Sequence, residues 1–487
     1  MVERDPATLR GIFLRLGEIY SSRVPDPKRA AAAYERVLGV DADNLEALRA
    51  LSDLTVAEGD LKRALPITDR LVAREPEAAR RHKTRIRLGE ILMQTGDLRR
   101  SGVELRRVVD ESPRDLAAVG ALAQLLDRAR DQAGRRTVLD RAVRLHRQDL
   151  ASAGGVQQET LRALAMLMST RERPHAALAA AQLVAAVGGG MKEGVREASR
   201  PGRSLAALRR PEVDDRVFSS EALPPGIRQL LRQLGPLLRP SGQELAQRLG
   251  RQGVGKADRK TRNTPPRPLF DAVAAELGAG DFDLYVKERL DAAEPILLRA
   301  EPGNPPAIII GAQIEELGPA ALRFAAARAL RLTSTNLDAI LAGSPAEAGA
   351  LLVGIIRQFV PDYEHAEVPE NLIAPEMARA ERAIPRKLKP QVMPFAVESA
   401  GVFDLGALYA ATRDAANAVG LLAAGDLPAA LSVILEVSLS TPGPGSRPSA
   451  GGRGLTLEAL GANAEAMALL QFAVSDEFDD LARELES

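Results

Sequence analysis

Side chains able to move a proton, hold a metal or attack an electrophile are sparse along this chain. It has 4 histidines and no cysteine, which removes disulfides, thiolate zinc sites and a Cys nucleophile. His82, His146, His175 and His365 stand one by one. Only His365, in "VPDYEHAEVPE", has acids close by: Asp362, Glu364 and Glu367 could join it in a metal site. A lone loop histidine beside acids is more usually solvated. The carboxylate pairs Asp281/Asp283 and Asp479/Asp480 read as strand and helix surfaces. No Ser/His/Asp arrangement or Gly-rich nucleophile elbow is present. "GRQGVGKA" (250–257) fits G-x-x-x-x-G-K, but Ala257 stands where Ser or Thr should hold magnesium. A helical pattern precedes it and prolines follow it, so it is not expected to cradle a nucleotide.

The elements that must position any such residue are mostly helical. Aromatics make up 3% of the chain, Trp is absent, and Ala, Leu and Arg dominate, all strong helix formers. The 487 residues suggest about three domains. Lys plus Arg is 65 and Asp plus Glu is 65, so no global basic field for nucleic acid exists. "MVERDPATLRGIFLRLGEIY" carries charge within its first five residues and no long apolar run. Neither a signal peptide nor a membrane span is expected, which makes a soluble, cytoplasmic protein the default.

The first part of the chain repeats. "AEGDLKRALPITDRLVAREPE" (57–77) and "QTGDLRRSGVELRRVVDESPR" (94–114) align without gaps, Gly59-Asp60-Leu61 on Gly96-Asp97-Leu98 and Pro76 on Pro113. Upstream of each lies another amphipathic segment, "LEALRALSDL" and "TRIRLGEILM". The unit is helix, Gly-Asp turn, helix, Pro-marked exit. This resembles the tetratricopeptide repeat. The Leu-Gly pairs at 16–17 and 88–89 match that family's first helix, Ala30, Ala64 and Ser101 its tight helix crossing, and the two prolines its terminal proline. Small residues let helices approach closely, and the turn Gly reaches its backbone angle at little cost. The spacing departs from the family's usual 34, "VPDPKRAAAAY" replaces the first Gly-Asp turn, and 115–148 is degenerate. A capping pair is expected over 161–187. The resemblance implies a groove that binds a peptide or a partner's helix. Repeat phase nominates Arg15, Arg49, Arg85 and Arg87 as exposed groove residues.

A Gly/Pro/Arg-rich connector follows from "VGGGMKEG". Between Arg228 and Arg267 ten Lys/Arg face two acids, Glu244 and Asp258. Such a run could touch phosphates, but no aromatics are interleaved to stack on bases. Nucleic-acid binding is therefore not the expected role.

From Pro268 the texture changes. "FDLYVKER" (282–289), "EPILLRAE" (294–301) and "PPAIIIG" (305–311) read as strands, and "LGPAALRFAAARALRLTS" (317–334) as a helix opened by Gly318-Pro319. This order resembles the core of the heat-shock and CAAX-processing type of zinc metallopeptidase. Leu317, Pro319, Leu322 and Arg323 fall where that family's leader falls. The resemblance places Arg328 and Leu332 at the two histidines of H-E-x-x-H, Ala329 at its glutamate, and Arg413 with Asn417 at the later ligand motif, in "ALYAATRDAANAVGLLAAGDLPAAL". Two His at i and i+4 hold zinc while the Glu takes a proton from its water. Arg, a permanent cation, cannot do so, and Ala and Leu offer no ligand. The tail "LLQFAVSDEFDDLA" resembles a terminal helix of degenerate members, and "TPGPGSRPSAGGRG" (441–454) is a linker by composition.

The expected architecture is mostly α: a TPR-like α-solenoid over 1–187, a basic Gly/Pro-rich linker with short helices over 188–267, and an α+β, metallopeptidase-like domain with a small sheet over 268–487. The expected function is a non-enzymatic scaffold or adaptor for a protein partner, with no cofactor, no metal and no membrane. The alternatives are a hydrolase built near His365 and a nucleic-acid adaptor acting through 228–267.

Overall fold

The structure is a computed structural model of the chain. It describes residues 5–152, 155–188, 204–218, 220–251, 254–256, 266–287, 298–311, 318–401, 403–438 and 455–486. The fold is mostly α, a helical solenoid followed by a helical domain with a small sheet. The chain divides into two compact units, Met1–Gln148 and Asp149–Ser487.

The first unit holds α1 (Pro6–Glu18), α2 (Pro27–Val40), α3 (Leu45–Ala57), α4 (Leu61–Arg74), α5 (Ala78–Thr95), α6 (Leu98–Glu111), α7 (Leu116–Arg128) and most of α8 (Gln132–Leu150). From α1 to α7 each helix packs on the next, which makes a TPR-like solenoid of hairpins. The Gly-Asp turns act as their chemistry dictates. Gly59 and Gly96 adopt left-handed φ of 76° and 95°, a region that costs other residues a Cβ clash. Asp60 and Asp97 then accept the N–H of Arg63 at 3.2 Å and of Arg100 at 3.1 Å, capping the second helix. The first hairpin has no Gly there. Its chain leaves α1 through a π-helical turn, Ile19–Arg23, yet Asp26 still caps Arg29 at 3.1 Å. The stretch read as degenerate keeps the rule as well. Asp131 caps Gly134 at 2.8 Å, and Arg130 takes the left-handed position with φ 59°.

Small residues set the helix spacing inside each hairpin. Ala30, Ala64 and Ser101 are fully buried, and Ser101 Oγ donates to the Gly89 carbonyl at 2.7 Å. A Cβ added to Gly89 would lie 2.6 Å from Leu105, and one on Gly17 would lie 2.5 Å from the Tyr34 ring. Between hairpins, Arg63 pairs with Glu35, Arg100 with Asp69 at 2.8 Å, and Arg141 with Asp110 at 3.2 Å. One arginine per hairpin thus reaches back to the preceding second helix.

The second unit begins with α9 (Gln158–Thr170) and α10 (Pro174–Ala186), the pair that repeat phase had put at the end of the solenoid. Next come α11 (Pro211–Val217), α12 (Pro225–Leu238), α13 (Gly242–Arg251) and α14 (Arg267–Leu277). The sheet comprises β1 (Val254–Lys256), β2 (Asp283–Lys287), β3 (Leu298–Glu301) and β4 (Ala307–Gly311), in the order β1-β2-β4-β3. Here β4 lies parallel to β2 and antiparallel to β3. All of β4 is buried, as its β-branched run dictates. β1 falls inside "GRQGVGKA", where Gly255 and Lys256 pair with Val286 and Tyr285 in an extended ladder. That backbone is a strand edge and not a phosphate loop.

After the sheet come α15 (Pro319–Thr335), α16 (Asp338–Leu341), α17 (Pro345–Ile356), α18 (Glu370–Ala383), α19 (Lys389–Ser399), α20 (Leu405–Ala424), α21 (Leu427–Ser438), α22 (Leu457–Ala462), α23 (Ala464–Ala473) and α24 (Asp476–Glu484). α15 and α20 pack closely because Gly420 sits against Phe324, where a Cβ would come within 2.7 Å of the ring. Leu317 and the 441–454 linker lie outside the described residues.

Candidate functional site

The four arginines expected to line a groove fare differently. Arg15 is exposed. Arg49 forks onto the buried carboxylate of Glu75, with three contacts of 2.7 to 2.9 Å. That grip holds Glu75 below the usual carboxylate range although burial opposes it. Arg87 pairs with Asp53 on α3. Arg85 is a correction: it is buried, with Nε 3.0 Å from Glu104 and Nη1 3.5 Å from Glu111. Its position on α5 faces α6, so its stem packs and two carboxylates neutralise its head. The exposed face of the first helices consists instead of Glu46 and Asp53 on α3, Lys83, Glu90 and Gln94 on α5, and Gln124 on α7. Arg87–Asp53 and the 3.0 Å contact of His82 with Asp115 tie these helices into one surface.

In the second unit the positions matched to a metallopeptidase separate into two groups. Ala329 and Leu332 are buried, and Leu332 belongs to the apolar core with Leu337, Leu352 and Ile355. Arg328, Arg413 and Asn417 converge where α15, α20 and α23 meet. Their common partner is Glu465, in the first turn of α23. Arg328 Nη2 lies 3.1 Å from Glu465 Oε1, Asn417 Nδ2 donates to the same oxygen at 2.8 Å, and Arg413 Nε lies 3.5 Å from Oε2. Arg413 also donates to Asp414 at 3.1 Å. Burial raises the Asp414 carboxyl above its usual range against the opposing pull of Arg413. Two guanidiniums repel a divalent cation, so this donor set suits an oxyanion. Glu465 had no signal in the sequence beyond its place after the Asn463 cap, whose side chain accepts Ala466 N–H at 2.9 Å.

The other candidates are absorbed by structure. His365 Nε2 donates to the Phe403 carbonyl at 2.8 Å, Nδ1 faces Glu367 N at 3.4 Å, and the ring packs tilted on Phe403 at 4.8 Å. Its ring nitrogens hold a loop together, and no cluster of three or more metal-ligating side chains occurs among the described residues. Five arginines of the basic run pair with acids: Arg228 with Asp215 at 2.7 Å, Arg232 with Asp214 at 3.3 Å, Arg239 with Asp338 at 2.7 Å, Arg248 with Glu301 at 2.7 Å, and Arg267 with Asp271 at 2.9 Å; the side chains of Arg251, Lys256, Arg259, Lys260 and Arg262 lie outside the described residues.

Asp479 overturns its reading as a helix surface. It is wholly buried and accepts His175 N–H at 2.7 Å and Ala176 N–H at 3.2 Å, capping α10 from α24. Around it Arg171 meets Asp476 at 2.7 Å, Arg173 meets Asp480, and Arg483 lies 2.8 Å from Asp479 itself. A cleft of about 540 Å³ opens among α12, α16, α17 and α18, with Arg239, Arg248, Arg379, Glu301 and Glu376 on its walls. Arg239, on its wall, pairs with the buried Asp338 at 2.7 Å, and burial pushes the Asp338 carboxyl up to about 6 even against the arginine.

No family model matches the chain, and no curated protein matches it. Among solved structures it is similar to MamA 41-end from Desulfovibrio magneticus RS-1, at 15% identity over 36% of this chain and 93% of that one, with a TM-score of 0.27. A second is TTC0263, a thermophilic TPR protein of Thermus thermophilus, at 22% identity over 39% and 95%, with a TM-score of 0.26. A mutant O-GlcNAc transferase of Thermobaculum terrenum matches at 27% identity over 30% of this chain, with a TM-score of 0.23. The match spans only 27% of that transferase. At such scores the repeat assignment stands on the hairpins themselves. No helix among the described residues is long and apolar enough to cross a membrane.

Proposed function

We propose that this protein is a non-enzymatic adaptor that holds a polar segment of a partner protein on the face made by its first helices. The observation that carries this reading is the continuous surface of α3, α5 and α7, with Glu46, Asp53, Lys83, Glu90 and Gln94 exposed on it. Stacked helical hairpins present such faces as extended concave binding surfaces. Its named charges are three acids, Glu46, Asp53 and Glu90, against one cation, Lys83, so a polar partner segment with basic residues fits better than a nucleic acid. The second unit supplies a further docking surface. It is a pseudo-metallopeptidase in which Arg328, Ala329, Leu332 and Arg413 occupy the former catalytic and ligand positions. Support for that part of the reading lies in the close packing of α15 on α20 and in the meeting of Arg328, Arg413 and Asn417 at Glu465, while Leu332 points into the apolar core. Against the hydrolase alternative His365 bonds the Phe403 carbonyl, and against the nucleic-acid alternative five of the ten basic side chains over 228–267 already pair with acids.

The test is capture of binding partners by the full chain, wild type against Arg15→Glu and the double variant Lys83→Glu/Glu90→Arg, each checked for an unchanged Tm. A partner that binds the wild type and is lost by the variants supports the groove. Equal recovery by all three refutes it.

A further inference from the structure

We propose that Arg328, Arg413 and Asn417 form a receptor for a peptide carboxylate, and that the Glu465 side chain is its exchangeable internal occupant. The site deepens the reading of the second unit as a docking surface and rests on it to that extent.

The receptor is built from two rigid helices. Arg413 and Asn417 are one turn apart on α20 and so share a face, and Arg328 approaches from α15. Arg328 and Asn417 donate to the Glu465 carboxylate at 3.1 and 2.8 Å, and Arg413, whose N–H groups bond Asp414, adds its charge 3.5 Å away. Paired guanidinium and amide donors form strong, charge-assisted bonds to an oxyanion.

Two features mark the occupant as replaceable. First, the receptor is not saturated. Arg328 Nε and Asn417 Oδ1 are buried and have no hydrogen-bond partner. Leaving such atoms unpaired is costly; an orphaned Nε also occurs in the Arg85 and Arg239 pairs, so the buried Asn417 acceptor is the feature particular to this site. An unused donor and an unused acceptor beside a bound carboxylate match a ligand that carries a carboxylate and a nearby N–H, as a peptide C-terminus or an acidic residue does. Second, Glu465 can leave without unfolding its helix. α23 is anchored by buried Ala466, Leu469, Leu470 and Ala473, while Glu465 sits at its first turn on a flexible side chain. The cluster also reaches solvent: the side chains of Arg328 and Arg413 are 16% and 23% exposed.

Exchange is therefore a rotation of the Glu465 side chain outward and entry of another carboxylate. With Arg413 already engaged by Asp414, removing Glu465 leaves one uncompensated positive charge, which an incoming anion restores.

The experiment is a thermal-unfolding titration of the full chain with N-acetylglycine, which carries one carboxylate and one amide N–H, at ionic strength matched with chloride. Glu465→Ala should gain about 1–2 °C in Tm at saturation by linkage. Wild type should need at least a tenfold higher concentration for the same shift, because Glu465 competes. The double variant Arg328→Ala/Glu465→Ala should show none. Absence of a shift in folded Glu465→Ala, absence in wild type up to a hundredfold higher concentration, or an equal shift in the double variant overturns the proposal. Should Glu465→Ala fail to fold, Glu465→Gln, equal in shape and lacking the charge, takes its place under the same criteria. The probe binds without any partner, so failure here leaves the groove on the first unit untouched.

Discussion

Replacing Asp479 by Ala removes several interactions at one buried point. Its carboxylate caps α10 through two N–H groups, and Arg483 lies 2.8 Å away with Arg173 at 3.8 Å. Loss of a helix cap costs about 1 kcal/mol. Removing one partner of a buried charge pair costs about 3–5 kcal/mol, but Arg173 and Arg483 keep Asp476, Asp480 or solvent, so the lower end applies. A total of about 4 kcal/mol follows. Over a unit running from Asp149 to Ser487, the melting entropy is about 0.7 kcal/mol/K, which turns that loss into a fall of about 6 °C in Tm. Asp480→Ala is the control. Asp480 pairs with the same Arg173 but is 42% exposed, so about 1 kcal/mol or less is expected. Thermal and urea unfolding of both variants should rank Asp479 far above Asp480. Equal losses, or none at Asp479, would refute the claim that the cap and its burial hold α24 to α10.

Arg130→Gly should stabilise the first unit by about 0.5–1 kcal/mol in urea unfolding, since φ 59° costs an L side chain more than Gly loses in the unfolded chain. Gly89→Ala should cost about 2 kcal/mol because its Cβ meets Leu105, and Leu105→Val in the same chain should recover part of that loss. The raised carboxyl of Asp338 gives a pH signature. Its folded pKa of about 6 lies above the ordinary 3.8, so the native state holds the proton longer and stability declines as pH climbs from about 4 to 6. Relative to Asp338→Asn, wild type should lose on the order of 3 kcal/mol across that window, and parallel pH profiles for the two would refute the raised carboxyl.

What the sequence disclosed was local. Gly-Asp turns, small crossing residues and the β-branched run at Ala307–Gly311 each act within a few residues, through backbone angle, size or shape, and each is found where its chemistry implied. What it concealed was distant. Repeat phase makes Arg85 a groove residue, yet Glu104 and Glu111 on the next helix make a buried guanidinium tolerable there. The run from Arg228 to Arg267 reads as basic because acids that pair with its arginines, Asp214, Glu301 and Asp338 among them, lie outside it. Asp479 reads as a helix surface and Glu465 carries no signal of its own, since nothing near them in sequence names a helix end or an arginine pair as partner.

The capping of α10 by Asp479 spans 304 residues of chain. A ribosome adding about 5–20 residues per second needs about 15–60 seconds to travel from one partner to the other. Throughout that interval the hairpin solenoid of the first unit can close on contacts already made, whereas the N–H groups at the start of α10 wait for a carboxylate not yet synthesised. A nascent chain halted before α24 would therefore carry a closed first unit and an unfinished second one. It would be a natural client for chaperones and a substrate for proteolysis.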